Sequence, residues 1–122
     1  MKVLLGIDGS DESMKTLRKT IDRTREADDD LTVVVVPKEA AKRSQDEMAT
    51  EARDLVTEAG LDVDVRVVTG DPGSTLVDIA ERESFDQLAI GGGTESPMGK
   101  IRLGPITEFV LLNANVTVRL VR

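Results

Sequence analysis

Two apolar patterns alternate along the chain. Val3-Leu4-Leu5-Gly6-Ile7 and Leu31-Thr32-Val33-Val34-Val35-Val36 are nearly continuous apolar runs bounded by turn residues, as expected of inner parallel strands covered on both faces. Leu88-Ala89-Ile90 is a third, shorter run of the same kind. Val63, Val65 and Val67 instead alternate with Asp64 and Arg66, and Val116, Val118 and Leu120 with Thr117 and Arg119, which predicts two edge strands.

Between these runs lie helical stripes. Met14, Leu17 and Ile21 fall at i, i+3 and i+7, while Met48, Ala52, Leu55, Val56 and Ala59 line one face of a second helix. Ser44 with Glu47 reads as a capping box and Gly60 as a helix stop. Asp71-Pro72 opens a third helix carrying Leu76, Ile79 and Ala80, and Gly104-Pro105 a fourth carrying Ile106, Phe109, Val110 and Ala114. Strict strand–helix alternation with short connections predicts an α/β fold, a doubly wound five-stranded parallel sheet with helices on both faces. The 122 residues suit one domain spanning 1–122.

Composition narrows the chemistry. Charged residues make up 32% of the chain and the formal net charge is −7, which argues against nucleic acid or an anionic membrane as a partner. The acidic excess has two readings, general solubility or adaptation to high salt. Without Cys or His there is no thiol nucleophile, disulfide or imidazole base, and the common zinc sites are excluded. No pair resembles an activated nucleophile with its base, and no acidic cluster has metal-ligand spacing, so neither a catalytic nor a metal-binding residue is assigned. The apolar run before Asp8 is too short for a signal peptide or a membrane span, so a cytoplasmic location is expected.

The stretch Gly91 to Pro105 leads from a buried strand into a helix through a glycine-rich loop. A helix start leaves backbone N–H groups without partners at the positive end of the helix dipole, so such a loop is either an anion cradle or a plain connection. Read together with Lys2 to Ser10, with Asp11-Glu12-Ser13, with Gly70-Asp71-Pro72 and with the closing Phe109 to Val121, it resembles the universal stress protein family over essentially the whole chain.

The resemblance implies strand order 3-2-1-4-5, which brings Asp8 and the Gly91 loop together at the sheet's switch point. It also implies an adenine-nucleotide site for ATP or AMP with Mg²⁺, weak or absent here. The family's binding pattern, G-x2-G-x9-G-[ST], falls on Gly91, Thr94, Gly104 and Pro105, so two of its four positions depart. Thr94 is expected to crowd the path to the phosphates or resist a positive φ. Pro105 suits a first helical position but brings neither an N–H nor a hydroxyl. Each lost charge-assisted hydrogen bond weakens binding by about 1.5–3 kcal/mol, tenfold or more.

The candidate site is Gly6, Ile7, Asp8, Val36, Gly91, Gly92, Thr94, Gly104, Pro105, Ile106 and Thr107. The resemblance places Asp8 at the adenosine end and Val36 against adenine. Equally, Asp8 caps the turn that follows and Val36 is core. Lys100 and Arg102 either attract phosphate or balance local charge, and Ser96-Pro97-Met98-Gly99 has the composition of a turn or flap. Family likeness further implies a homodimer through the last strand, at Val116, Val118 and Leu120.

The expected function is a stress-type binding or regulatory protein with attenuated or lost nucleotide binding. The alternative is a working ATP switch or slow ATPase. A phosphoreceiver domain has similar length and fold class and is a third, less favoured reading. It wants an acceptor Asp after strand three and a Lys after strand five, whereas Thr69-Gly70-Asp71 is a poor acceptor context and the last strand is followed by Arg122.

Overall fold

The computed structural model describes residues 1–122. Its sheet is built from β1 (Lys2–Ile7), β2 (Asp30–Val35), β3 (Asp64–Val67), β4 (Gln87–Gly91) and β7 (Thr117–Val121), all pairs parallel, in the order β3-β2-β1-β4-β7. With β7 as the fifth main strand, this is the 3-2-1-4-5 order expected. The alternating strands β3 and β7 are the edges. Four helices connect them: α1 (Asp11–Ala27), α2 (Gln45–Glu58), α3 (Pro72–Arg82) and α4 (Pro105–Asn113).

Strand periodicity divides the interior in two. Val3, Leu5 and Ile7 of β1 point to the side covered by α1 and α2, where they meet Leu17, Ile21, Met48, Ala52 and Val56. Leu4 points to the opposite side, where Leu76, Ile79 and Ala80 of α3 and Val110 of α4 cover it. Both faces are thus apolar, which is why the inner strands read as unbroken runs.

Local signals place the helix starts. Ser10 caps α1 by accepting from the Ser13 N–H at 3.1 Å, and Ser44 and Glu47 form the capping box of α2. Asp71 caps α3 through the Ser74 N–H at 2.9 Å, with Pro72 in the first turn. Gly104 precedes α4 and offers no side-chain cap.

Two details differ from the sequence reading. In α4, Phe109 lies over Gly73 of α3 at the surface, whereas Val110 is fully buried. The Gly91–Pro105 segment, read as loop, contains an antiparallel hairpin of β5 (Thr94–Glu95) and β6 (Ile101–Arg102). Its turn begins at Ser96, whose N–H donates to the Lys100 carbonyl at 2.7 Å and whose carbonyl accepts from the Gly99 N–H at 2.9 Å.

Leu17 is 0% exposed and Met98, at the hairpin tip, 83%. Leu17→Ala should therefore cost about 2–5 kcal/mol in urea unfolding with an unchanged slope. Met98→Ala should stay within about 0.5 kcal/mol of the parent.

Candidate functional site

Because β1 and β4 are neighbours in register, with Gly6 opposite Ile90, their carboxyl ends emerge side by side. From β1 the chain turns towards the α1 side of the sheet, and from β4 it runs through the glycine loop to α4. The divergence leaves a cleft of about 320 Å³. Gly6, Ile7, Asp8, Val36, Gly91, Thr94, Gly104, Ile106 and Thr107 all line it, so nine of the candidate residues come together.

The other two do not face this cleft. The Gly92 N–H donates to the Val121 carbonyl at 2.8 Å, extending the β4–β7 pairing and turning Gly92 towards a hollow beside Lys15 and Lys19. Pro105 faces a second, adjoining cavity.

Asp8 performs the capping part of its expected role. Its Oδ1 accepts from the Ser10 N–H at 2.8 Å and from the Ser13 hydroxyl at 2.9 Å, and that hydroxyl in turn accepts from the Asp8 N–H at 2.9 Å. These bonds fix the turn after β1, with Asp8 on the cleft wall.

At the other wall, the first-turn N–H groups of Ile106 and Thr107 have no acceptor within α4, as at any helix start. A Cβ built on Gly104, whose φ is −75°, meets nothing within 4 Å, so the space above this helix start is open. The Thr107 hydroxyl donates to the Gly91 carbonyl at 3.1 Å. That bond ties α4 to the end of β4 and takes the hydroxyl out of the set of free donors.

The glycine loop solves its steric problem one residue earlier than the family pattern implies. Gly93 carries φ +81°, and a Cβ there would lie 2.0 Å from the Arg102 carbonyl oxygen. Thr94 has no positive φ; it pairs with Arg102 in the hairpin and borders the cleft as a strand residue. The sequence reading missed Gly93. Its signal was the third consecutive glycine.

The second cavity, about 760 Å³, is bounded by the 37–45 connection, by Asp71-Pro72-Gly73 and by Pro105. Val36, Lys38 and Ile106 border both cavities, which therefore form one groove along the carboxyl edge of the sheet. The connection after β2 is pinned beside α1. Arg43 donates from its backbone N–H to the Gly9 carbonyl at 3.1 Å, and its guanidinium meets Asp11 at 3.0 Å and Glu51 at 2.6 Å. The Arg43 hydrogen bond holds the Asp11 carboxyl below the usual carboxylate range. Gln45 bridges the Val35 and Val68 carbonyls at 3.0 and 2.7 Å, closing the far end.

Lys38 and Ser13 also belong to this site, and neither was singled out from sequence. Lys38 opens a stretch of mixed charge, Lys38–Arg43, that carries no motif. Of the two loop cations, Arg102 lines the cleft, while Lys100 lies at the hairpin tip and lines neither cavity. The assembled groups are apolar walls, backbone N–H donors and cations, with the Asp8 and Glu12 carboxylates on the α1 side, a set suited to an amphipathic anion held at the α4 start.

A model of the universal stress protein family matches residues 1–122. The stress response protein NhaX of Bacillus subtilis is 22% identical over 161 residues, spanning 99% of this chain and 97% of that protein. A universal stress protein structure from Archaeoglobus fulgidus superposes with a TM-score of 0.80 at 22% identity, covering 100% of this chain and 98% of that one. A structure of the universal stress protein from the same organism in complex with dAMP gives 0.75 at 21% identity, with 100% and 98% covered. No helix is long and apolar enough to cross a membrane.

The hairpin wall depends on Gly93. Gly93→Ala should speed amide exchange at Ser96 and Lys100 by about tenfold or more through local opening, with β1 amides unaffected in hydrogen-exchange NMR.

Proposed function

The chain belongs to the universal stress protein family, and we propose that it is a stress-type binding and regulatory protein whose cleft takes an adenine nucleotide weakly and which acts as a homodimer. The observation that carries the binding reading is the start of α4: uncapped by any side chain, facing open space at Gly104, and set in a cleft shared with Asp8 and Val36. A helix start in that state favours a phosphate. Val36, Ile90 and Leu76 supply an apolar wall for a base, and a relative of the same fold binds dAMP.

Weakness follows from what the helix start lacks. Pro105 has neither N–H nor hydroxyl, and the Thr107 hydroxyl is engaged with Gly91. The backbone N–H groups of Ile106 and Thr107 and the helix dipole are left to hold the phosphate. Mg²⁺ would act only through a ligand's phosphates, and the carboxylates bordering the cleft are those of Asp8 and Glu12.

The dimer reading rests on β7, an edge strand with its outer main chain unpaired. Val116 and Val118 are half-buried and pack with one face of the strand against the core beneath α3 and α4. The surface on offer is the strand's edge with Leu120, 37% exposed, and Leu112 of α4, 84% exposed.

Titration calorimetry with AMP and ATP, with and without Mg²⁺, tests the site. The expected result is saturable AMP binding at a Kd of about 0.1–1 mM. Gly104→Val, which fills the open space without a forbidden φ, should abolish binding and leave the fold intact. No saturable binding of either nucleotide overturns the reading, whereas submicromolar ATP binding would favour the ATP-switch alternative.

Light scattering at low micromolar concentration should report a dimer, and Leu120→Lys with Leu112→Lys a folded monomer. A monomer in the parent contradicts the dimer.

A further inference from the structure

Arg102 and Lys38 are the cationic side chains of the cleft that border the same space as Gly104, Ile106 and Thr107. Neither takes part in an ion pair, although acidic residues outnumber Lys and Arg 23 to 16 and the neighbouring Lys42 and Arg43 are both paired with Asp11. Both positions are set by the fold. Arg102 sits in β6, two residues before the α4 cap, in a hairpin whose approach to the loop requires Gly93. Lys38 follows β2 and lines the wall common to the two cavities.

In the sheet β1 lies between β2 and β4. The two cations therefore reach the groove from the segments that follow β2 and β4, the strands on either side of β1. Asp8 and Glu12 line the same cleft from the turn before α1 and from its first turn, and Asp8 Oδ1 is held there by Ser10 and Ser13. The carboxylates of the cleft thus sit on its α1 side, while the cations come from the segment after β2 and from the hairpin after β4, an arrangement that orients a phosphate chain away from α1.

A single phosphate on the N–H groups of Ile106 and Thr107 meets the helix start alone. A longer chain of phosphates adds charge that only the two free cations can neutralise, and a guanidinium does so with paired donors. We propose that Arg102 and Lys38 grip the distal phosphates of a nucleoside di- or triphosphate, so that this cleft selects nucleotides by phosphate number and recovers through them part of the anion contact that Pro105 forgoes. The inference rests on the nucleotide reading above and assigns the selectivity to these two side chains.

Calorimetry without divalent cations, at low salt, with AMP, ADP, ATP and inorganic tripolyphosphate tests it on the parent, Arg102→Gln, Lys38→Gln, the double variant and Lys100→Gln. ATP should bind the parent about tenfold more tightly than AMP, and the preference should shrink as salt rises. In the double variant ATP affinity should fall further than AMP affinity, bringing the ratio to within about twofold of unity, and Arg102→Lys should restore part of it. Lys100→Gln should keep the parent ratio.

Equal AMP and ATP affinities in the parent, or a preference unchanged in the double variant, overturn the grip and leave the nucleotide reading standing. Tripolyphosphate bound through Arg102 and Lys38 with no AMP or ATP binding keeps the grip and overturns the nucleotide reading. Failure of every probe to bind overturns both.

Discussion

The parallel pairing of β1 with β4 is the constraint on which the rest of the molecule depends. It joins residues more than eighty positions apart, from Val3 opposite Gln87 to Gly6 opposite Ile90, and it reverses the direction in which the sheet grows. Strands added through α1 and α2 lie on one side of β1, and those reached through α3 and α4 on the other. Since right-handed crossovers place these two helix pairs on opposite faces, none passes over the carboxyl ends of β1 and β4. The crevice is therefore a topological consequence of the fold, present before any side chain decorates it.

What decorates it is a division of labour between two turns. After β1 the turn is closed: Asp8, Ser10 and Ser13 satisfy one another, and Ser10 caps α1. After β4 the turn is open, because glycine at the cap and proline in the first position leave α4 without side-chain protection. Buried polar groups seek partners, so the closed turn gives rigidity and the open one capacity for a ligand. Thr107 joins the two requirements by anchoring the open helix to Gly91 through its hydroxyl while lining the cleft.

Much of this was legible in the sequence, for local reasons. Unbroken runs such as Val33 to Val36 announce strands covered on both faces, and Ser44 with Glu47 or Asp71 with Pro72 announce helix starts, because those signals act within four residues. Strand order is a matter of distant pairing and carries no periodicity; only family resemblance supplied it. The β5–β6 hairpin escaped notice because two-residue exposed strands have no pattern to read.

The displacement of the strained position from Thr94 to Gly93, and the turning away of Gly92, also lay beyond sequence spacing. Three successive glycines let the chain choose where to bend, and the Arg102 carbonyl decides it. The packing of Val116 and Val118 against the core was not legible either, because an alternating edge strand does not reveal which of its faces the helices cover.

The central claim is that the reversal between β1 and β4 is where a nucleotide binds. Amide chemical-shift mapping on isotopically labelled protein titrated with AMP tests it most directly. The account predicts saturable shifts concentrated at Asp8, Val36, Gly91, Gly104, Ile106 and Thr107. Shifts that cluster on the β3 edge or beside Lys15 and Lys19, with the α4 start unmoved, would contradict it.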